Sequence, residues 1–375
     1  MLIHYVTGSR ADFGLVQSCL KRIDASSQHE VELVVTGQHL IDKYGGTMSE
    51  VERSALRIAG TIPVSLSGKD GQEMAIATAH ELAGFASIWK TKRPDLLLVL
   101  GDRGEMLAAA IAAVNMGIHV AHLHGGERSG TVDESFRHAI SKLSHFHFPA
   151  TQDAATRLLK MGEEEDSITV IGAPGLVGLT DGARRKPTKL RQDFELPHSK
   201  AVALVIFHPV VQEQQCAAAQ IETIIVAIQE ANLSAIILRP NSDAGGVAID
   251  EVLNKYEMSG DIRVLTHLGR ADFVSVLASC DVMIGNSSSG IIESASFSVP
   301  CVNVGSRQKN RQRNSNTVDC PSIDQSAILQ AIGTALEMKC DGENVYGDGR
   351  SDHLLLHALN NIELKPSILA KQNAY

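Results

Sequence analysis

The sequence predicts an α/β protein built from two Rossmann-like, doubly wound domains with an interdomain cleft. Short runs rich in Val, Ile and Leu alternate with longer amphipathic stretches, which is typical of βαβ units in a covered parallel sheet. This alternation stops over residues 173–200, where glycines, prolines and mixed charges cluster, and it resumes afterwards. We therefore expect an N-terminal domain at 1–172, a linker at 173–200 and a C-terminal domain at 201–375.

Each domain contains five apolar runs that are short enough to be strands. In the first half these are residues 2–6, 31–35, 96–100, 119–122 and 168–171. In the second half they are residues 201–207, 235–238, 262–265, 282–284 and 301–304. Amphipathic patterns over 72–90 and 105–115 predict helices between strands of the first domain. We also expect a last helix near 350–361, which could pack back on the N-terminal domain.

Composition narrows the possible functions. Of the 375 residues, 44% are hydrophobic and 21% are charged, as in an ordinary globular protein. The formal net charge of −9 argues against nucleic acid as a partner, because nucleic-acid binding needs a basic surface. Six scattered cysteines without a CxxC pair favour reduced thiols over disulfides or a zinc site. The sequence shows neither a signal peptide nor a long apolar span, so we expect a soluble cytoplasmic protein without a membrane partner.

Polar clusters follow the predicted strands of the first half. Ligands of parallel sheets bind beyond the carboxyl ends of the strands, so each cluster is a candidate binding site. Arg10 in TGSRADFG follows the first strand, and His39 in TGQHL follows the second. Asp102 and Arg103 in GDRGE follow the buried run at 96–100. Each cluster also has a structural explanation: a capped turn, a structural histidine, or a surface ion pair that is worth little.

The richest cluster, HVAHLHGGERSGTVDESFRH, occupies residues 119–138. It places His124, Glu127 and Asp133 soon after a predicted strand. Part of it has a structural role, since Thr131 and Asp133 can cap the following helix. The two glycines before Glu127 instead give the backbone freedom to approach a ligand. The spacing of these residues fits no common zinc signature, and we expect no metal.

The second half supplies a predicted anion site. His208 in FHP directly follows the strand at 201–207, and MIGNSSSGIIESA (283–295) runs from a strand through three serines into a helix. Hydroxyls and free N–H groups at a helix N-terminus attract anions, whereas a structural cap needs one serine only. Glu293 lies one turn into that helix, where it could accept hydrogen bonds from ribose hydroxyls. Arg307 begins a basic run after the next strand.

Taken together, these motifs resemble those of the hydrolysing UDP-N-acetylglucosamine 2-epimerases, which produce N-acetylmannosamine for sialic acid synthesis. The shared motifs, in chain order, are GSRADFG, TGQHL, GDRGE, HGGERSGTVDESFRHAISKLSH, FHP, PNSDAGG, GNSSSGIIE and NVGSRQKNR. Each motif alone is weak, whereas the ordered set is specific and covers nearly the whole chain. The GDR triplet further favours the hydrolysing branch, because non-hydrolysing relatives usually have threonine after that aspartate.

The resemblance implies a glycosyltransferase-B-like fold with an active site between the domains. The catalytic residues that it implies, together with the reasoning above, are Asp102, His124, Glu127, Asp133 and His208. The implied substrate-binding residues are Arg10, His39, Arg103, Asn241, Asp243, Ser287, Ser288, Gly290, Glu293 and Arg307. Some sialic-acid-type relatives have glutamate at the position of His124, so the acid/base role here falls to His124 or to Glu127. The resemblance also implies a homodimer or homotetramer that serves capsule and sialic acid synthesis.

The implied reaction converts UDP-N-acetylglucosamine and water to N-acetylmannosamine and UDP. The hydrogen at C2 is not next to a carbonyl, so its removal requires charge to leave C1 with UDP. We expect elimination to 2-acetamidoglucal, then addition of water at C1 and a proton at C2 on the other face. Two faces require two groups of different protonation state. No metal or nicotinamide is needed, and we expect no cofactor.

Two alternatives remain open. Similar enzymes act on UDP-2,4-diacetamido-2,4,6-trideoxyglucose in legionaminic acid pathways, and HGGE also occurs there. Residues near C4 and C6 of the sugar would separate these two substrates. A retaining glycosyltransferase of the same fold would bind UDP in a similar way, but it would need an acceptor.

Overall fold

The computed structural model describes residues 1–44, 46–67, 70–181, 187–241, 243–257 and 260–374. The strands are β1 (Leu2–Thr7), β2 (Glu30–Thr36), β3 (Arg57–Ile62), β4 (Leu96–Leu100), β5 (His119–Leu123), β6 (Phe146–Phe148), β7 (Val202–Ile206), β8 (Ser234–Leu238), β9 (Ile262–Leu265), β10 (Val282–Gly285), β11 (Cys301–Val304) and β12 (Thr317–Cys320). The α-helices are α1 (Arg10–Asp24), α2 (Met48–Arg53), α3 (Gly71–Thr91), α4 (Gly104–Asn115), α5 (Val132–Leu143), α6 (Gln152–Lys160), α7 (Pro187–Asp193), α8 (Ala217–Glu230), α9 (Gly246–Asn254), α10 (Arg270–Leu277), α11 (Ser288–Ile292), α12 (Gln325–Glu337) and α13 (Ser351–Asn361). None of these helices combines the length and the apolar character needed to cross a membrane.

The strands form two parallel six-stranded sheets with the same topology. The first sheet has the order β3-β2-β1-β4-β5-β6 and the second has the order β12-β11-β10-β7-β8-β9. This arrangement is the Rossmann order, and it confirms the predicted pair of doubly wound domains. In each sheet the order reverses beside its first strand, between β1 and β4 and between β7 and β10. Ligands of such sheets bind at this reversal, outside the carboxyl ends of the strands.

Helices cover both faces of each sheet, which explains why the central strands read as continuous apolar runs. In β4, Leu96, Leu98 and Leu100 pack into the core beneath α1 and α13. Leu97 and Val99 point the other way, into the core formed with α3 and α4. Side chains alternate across a strand, so every residue of this run is buried.

Nine of the ten predicted strands are confirmed, and the strand predicted at 168–171 is wrong. That segment forms a single bridge, between Ile168 and His147, and the sixth strand of the first sheet is the three-residue β6. The sequence also missed β3 and β12. All three missed strands are at sheet edges, and β3 and β12 are only partly buried, so they lack the apolar run that marks a central strand.

The end of the chain returns to the first sheet. Leu355, Ala358 and Leu359 of α13 belong to the core that contains β1 and α1. Asp352 at the start of α13 also pairs with Arg22 of α1 at 2.5 Å. Within the predicted linker, residues 182–186 lie outside the described residues, and Leu190 of α7 already packs in the core of the second sheet.

Replacing Leu355 with alanine tests this packing. Leu355 is fully buried, and truncating a buried leucine costs about 2–5 kcal/mol of unfolding free energy. The matched control is Leu354→Ala on the same helix, because Leu354 is 40% exposed and should cost less than about 0.5 kcal/mol. Denaturant unfolding followed by circular dichroism measures both. Equal losses in the two variants would contradict docking of α13 on the first domain.

Candidate active site

The carboxyl ends of the two sheets face each other across a set of adjoining cavities. The main cavity, of about 250 Å³, is lined from the first domain by residues after β1 and β4 and from the second by residues after β7, β8 and β10. A second cavity of about 150 Å³, here the C-domain cavity, lies toward the second sheet and includes Leu268, Phe273 and Glu293. A third of about 40 Å³, the side cavity, lies against α3 and the start of α5.

The turn after β1 directs the N-terminus of α1 toward the main cavity. Ser9 caps the helix and Asp12 completes a capping box. The Asp12 carboxylate accepts hydrogen bonds from the backbone N–H groups of Gly8 and Ser9 at 3.2 and 2.7 Å and from the hydroxyl of Thr7. Burial raises the pKa of Asp12 to about 7, although the hydrogen bonds from the hydroxyl groups of Thr7 and Ser9 oppose the rise. The side chain of Arg10 lies outside the described residues.

Asp102 lies at the wall shared by the main and side cavities and pairs with Arg137 of α5. The Arg137 side chain is 1% exposed, and it also donates to the carbonyl of Glu127 at 3.3 Å. Burial and the neighbouring Arg311 and Arg307 lower the pKa of Arg137. The buried guanidinium therefore depends on the Asp102 carboxylate for charge compensation. Sequence reasoning missed Arg137, although its spacing of four from Asp133 puts both on one helix face.

Arg103 also lies between the main and side cavities, and it is bound on two sides by carboxylates. Its Nε donates to Glu105 at 2.7 Å, and its Nη1 lies 3.5 Å from Asp243 of the second domain. Burial alone would lower the pKa of Arg103, but the charges of Glu105 and Asp243 outweigh burial and raise it. Arg103 is therefore a permanent positive charge at the point where the two domains meet.

His124 and Glu127 form a hydrogen-bonded pair beside the main cavity. His124 has a left-handed backbone, with φ of 61°, and its Nδ1 lies 2.5 Å from the Glu127 carboxylate. The other oxygen of Glu127 lies 3.2 Å from Arg311. Burial by itself would raise the pKa of Glu127, but Arg311 and His124 outweigh it and lower the pKa to about 2. An ionised Glu127 must accept the Nδ1 proton, which leaves Nε2 of His124 as the nitrogen that can exchange a proton with a ligand.

The structure therefore gives these two residues different positions. His124 lines both the main cavity and the C-domain cavity. Glu127 is 4% exposed, lies behind His124, and is not among the residues that line the described cavities. Gly126, between them, has φ of 77°, and a Cβ there would lie 2.4 Å from the carbonyl oxygen of Ala154. The glycine that precedes Glu127 is required by this close approach.

In the second domain, Asn286 joins the ends of β7 and β10. Its side chain accepts from the backbone N–H of His208 at 2.7 Å and donates to the carbonyl of His208 at 2.8 Å. His208 Nδ1 accepts from the backbone N–H of Asn241 at 3.2 Å, so the neutral ring carries its proton on Nε2. Ser287 and Ser288 line the main cavity beside His208. α11 has only five residues, so its helix dipole is small. The hydroxyl and backbone N–H groups are therefore the donors that an anion would meet here.

The positively charged side chain of Arg307 extends from the second domain toward the first. Its guanidinium lines the main cavity, donates to the carbonyl of Asn286 at 3.2 Å and lies 3.4 Å from Asp133. Its own carbonyl accepts from the backbone N–H of Gly130 at 3.1 Å. Asp133 itself lines the side cavity rather than the main one. Asp133 and Arg307, both predicted as site residues, are therefore brought together across the domain boundary.

Two arginines of the second domain were missed by the sequence analysis. Arg239 directly follows β8 and lines the main cavity and the C-domain cavity, so the rule that polar residues after strands are candidates could have found it. Arg270 lies in the C-domain cavity, 2.5 Å from Glu293, and also donates to the carbonyl of Gly175 at 2.6 Å. No motif marks Arg270. Glu293 thus faces the C-domain cavity, where it already has an arginine partner.

Some predicted ligand residues do not reach the cavities described. His39 is 1% exposed, and its two ring nitrogens bond to the hydroxyls of Thr7 and Thr47 at 2.9 and 2.7 Å. Its position fits the structural role that the sequence analysis gave as the alternative. Gly290 is also buried, and a Cβ there would lie 2.6 Å from the sulfur of Cys301. Gly290 allows α11 to pack closely on β11.

Asp243, by contrast, contacts Arg103 and lines the side cavity, which it closes from the second domain.

The side cavity has a mixed lining. Its apolar groups come from Leu66, Met74 and Phe136, all half-buried, and its polar groups include the hydroxyl of Thr78. Glu81 of α3 also faces it, with its carboxylate accepting from the Thr36 hydroxyl at 2.9 Å. Burial, reinforced by the nearby charge of Glu105, raises the pKa of Glu81.

Two Rossmann-like domains with a charged cleft between the carboxyl ends of their sheets define a glycosyltransferase-B-like protein. Solved structures agree: UDP-N-acetylglucosamine 2-epimerase from Neisseria meningitidis, bound to UDP-N-acetylglucosamine, is 17% identical and superposes with a TM-score of 0.79 over 96% of this chain and 100% of that one. At this identity the similarity establishes the fold.

The chain belongs to the UDP-N-acetylglucosamine 2-epimerase family, whose model matches residues 21–360. It is 47% identical to the UDP-N,N'-diacetylbacillosamine 2-epimerase (hydrolyzing) of Legionella pneumophila over 100% of this chain and 99% of the relative. It is 31% identical to the GDP/UDP-N,N'-diacetylbacillosamine 2-epimerase (hydrolyzing) of Campylobacter jejuni over 87% of this chain and 86% of the relative. The predicted resemblance to hydrolysing UDP-sugar 2-epimerases is therefore confirmed.

The raised pKa of Glu81 predicts a pH dependence of stability. A carboxyl group whose pKa is higher in the folded state contributes most below its ordinary pKa, and this contribution is lost as the pH rises. Glu81→Gln mimics the protonated form and keeps the oxygen that accepts from Thr36. A difference of one unit between the folded and unfolded pKa is worth about 1.4 kcal/mol. Between pH 5 and pH 8, the unfolding free energy of the wild type should therefore fall by at least about 1 kcal/mol relative to that of Glu81→Gln.

Urea unfolding at both pH values measures this difference. The exposed Glu52→Gln on α2 serves as the control, and its pH dependence should match that of the wild type. A wild type and Glu81→Gln that lose the same stability over this range would show that Glu81 is ionised in the folded protein.

Proposed function

We propose that this protein hydrolyses UDP-2,4-diacetamido-2,4,6-trideoxyglucose with inversion at C2, releasing UDP and 2,4-diacetamido-2,4,6-trideoxymannose. The observation that carries the choice of sugar is the 47% identity, over the full length, to a hydrolysing enzyme named for UDP-N,N'-diacetylbacillosamine, which is this nucleotide sugar. The main sequence-based expectation was UDP-N-acetylglucosamine. The comparisons favour the alternative that the sequence analysis left open.

The cavities suggest how such a substrate would lie. The C-domain cavity offers apolar walls at Leu268 and Phe273 for the base and the carboxylate of Glu293 for the ribose. Ser287, Ser288 and Arg307 border the main cavity, where they would contact the diphosphate. The sugar would then extend toward the first domain. Arginine and hydroxyl donors that already surround the departing diphosphate stabilise its charge without reorganisation.

The first step is an elimination. A base removes the C2 proton, the electrons of that bond form the C1=C2 double bond, and the C1–O bond breaks with its electrons on UDP. Asp102, His124 and His208 line the main cavity, and we assign proton transfer at C2 to Asp102 and His124. Asp102 is held at the cavity wall by its contact with the Arg137 guanidinium, and we assign it as the base.

The second step is a hydration from the opposite face. The electrons of the C1=C2 double bond take up a proton at C2 on the face opposite to the original hydrogen, and the oxygen of water bonds to C1 and releases one of its protons to the solvent. His124, with Nδ1 oriented by ionised Glu127, can deliver that proton from Nε2. We therefore assign Glu127 as a positioning residue and His124 as the group that contacts the sugar. Asp133 would act through Arg307, which it holds at the cleft.

Proton NMR of the reaction in heavy water tests this function. With no acceptor present, the protein should release UDP from the diacetamido nucleotide sugar, with one deuterium at C2 of the manno product. UDP-N-acetylglucosamine in a parallel reaction should be converted more slowly. A product that keeps its original C2 hydrogen would rule out the elimination, and release of UDP only with a sugar acceptor would identify a glycosyltransferase.

Replacement of Asp102 separates catalysis from binding. Asp102→Asn keeps the size of the side chain and removes its basicity, so kcat should fall by at least about 100-fold, as for a lost general base. The affinity for UDP, measured by calorimetry, should change by less than about threefold because Asp102 is assigned to C2 of the sugar and not to the groups proposed to hold the base, ribose and diphosphate. Glu337→Gln, an exposed carboxylate on α12, is the control and should leave both values unchanged. A loss of UDP affinity that accounts for the whole loss of kcat/KM would contradict the role of Asp102 as base.

A further inference from the structure

The three cavities lie in a row. The C-domain cavity and the main cavity share His208, Ser287 and Ser288 as walls, and the main cavity and the side cavity share Asp102 and Arg103. The C-domain cavity and the side cavity have no lining residue in common. The side cavity is therefore at the far end of the site from the position proposed for the nucleoside.

The geometry of a hexose determines which substituent reaches that end. C1 carries the nucleotide, and C4 is the ring carbon directly opposite C1. With the nucleoside in the C-domain cavity and C2 near Asp102 and His124, the substituent on C4 is the part of the sugar that extends farthest toward the side cavity. The C6 group, on the neighbouring C5, lies at the same end of the ring.

The two candidate substrates differ at these positions. The diacetamido sugar has an acetamido group on C4 and a methyl group at C6, whereas N-acetylglucosamine has hydroxyl groups at both places. A cavity that selects the first sugar needs apolar surface for methyl groups and a few polar groups for one amide. A hydroxyl group placed against the same apolar surface would lose its hydrogen bonds to water without replacement.

We propose that the side cavity is the specificity pocket for the C4 acetamido group of the substrate, with Met74 and Phe136 contacting its methyl group and the hydroxyl oxygen of Thr78 accepting from its amide N–H. The Thr78 hydroxyl itself donates to the carbonyl of Met74 at 3.0 Å, which leaves its oxygen free to accept. This inference rests on the function proposed above and adds the residues that distinguish the two sugars. Met74 and Thr78 are both on α3, four positions apart, and Phe136 faces them from α5.

The size and polarity of the side cavity agree with this ligand group. Its volume of about 40 Å³ holds about three water-sized groups, comparable with the four heavy atoms of an acetamido group. The carboxylate of Asp133 on its wall can accept from the amide N–H. Glu81, whose pKa is raised by burial, can donate to the amide carbonyl in its protonated form. The pocket therefore offers both a donor and an acceptor beside its apolar surface.

Filling the side cavity tests the proposal. Met74→Trp places a larger side chain on a half-buried position of the cavity wall, and Ile76→Trp adds the same group to the same helix at a residue that is 49% exposed and does not line the side cavity. For Met74→Trp, kcat/KM with the diacetamido nucleotide sugar should fall at least about tenfold, as for a ligand group expelled from an apolar pocket. Its kcat/KM with UDP-N-acetylglucosamine and its inhibition by UDP should change by less than about threefold. Ile76→Trp should behave as the wild type.

Thr78→Val gives a second measurement with a smaller change in shape. It removes one hydroxyl, and kcat/KM with the diacetamido sugar should fall about fivefold while that with UDP-N-acetylglucosamine is retained. The proposal is overturned if the variants affect both substrates equally, or neither, in a protein whose wild type prefers the diacetamido sugar. A wild type that converts UDP-N-acetylglucosamine better would instead overturn the proposed function, and the pocket assignment with it.

Discussion

Charge compensation across the cleft is the constraint on which the site depends. Both sheets end in charged turns, and the carboxyl ends of the two sheets face each other. Arg103 of the first domain pairs with Asp243 of the second, and Arg307 and Arg311 of the second pair with Asp133 and Glu127 of the first. Buried or half-buried charges are costly without a partner. Each domain therefore supplies the counter-charges that the other needs.

This constraint also suggests how a nucleotide sugar would enter the site. Across the domain boundary, Arg103 contacts Asp243 at 3.5 Å and Arg307 contacts Asp133 at 3.4 Å, both longer than an optimal charge-assisted hydrogen bond. A diphosphate in the main cavity would offer these arginines closer and more highly charged acceptors. Glu127 differs, because it holds both His124 and Arg311 within 3.2 Å and is shielded from solvent. Arg103 and Arg307 can therefore change partner at the cleft, whereas His124 is kept in one orientation.

The site was predictable where a side chain directly follows an apolar strand. Asp102, Arg103 and His208 were found in this way, because β4 and β7 are buried on both faces and read clearly. The same rule singled out His39, whose two ring nitrogens are occupied by threonines from other parts of the chain. It could not find Arg137, which reaches Asp102 from the middle of a helix. Local sequence specifies where a strand ends, and it does not specify which hydrogen-bond partners surround the next side chain.

The sequence by itself determined the alternation of strands and helices and the class of fold, because burial on both faces of a parallel sheet requires long apolar runs that are visible locally. It also determined the order of the motifs along the chain. Edge strands such as β3 and β12 were not predicted, because they are only partly buried and lack such runs. Only the tertiary structure decided which charges pair, since Asp133 and Arg307 meet across 174 positions of the chain. It also decided that His124 rather than Glu127 faces the cavity, and it formed the side cavity from α3, α5 and Asp243. Such contacts depend on how two separately formed sheets are placed against each other, and no local pattern encodes that placement.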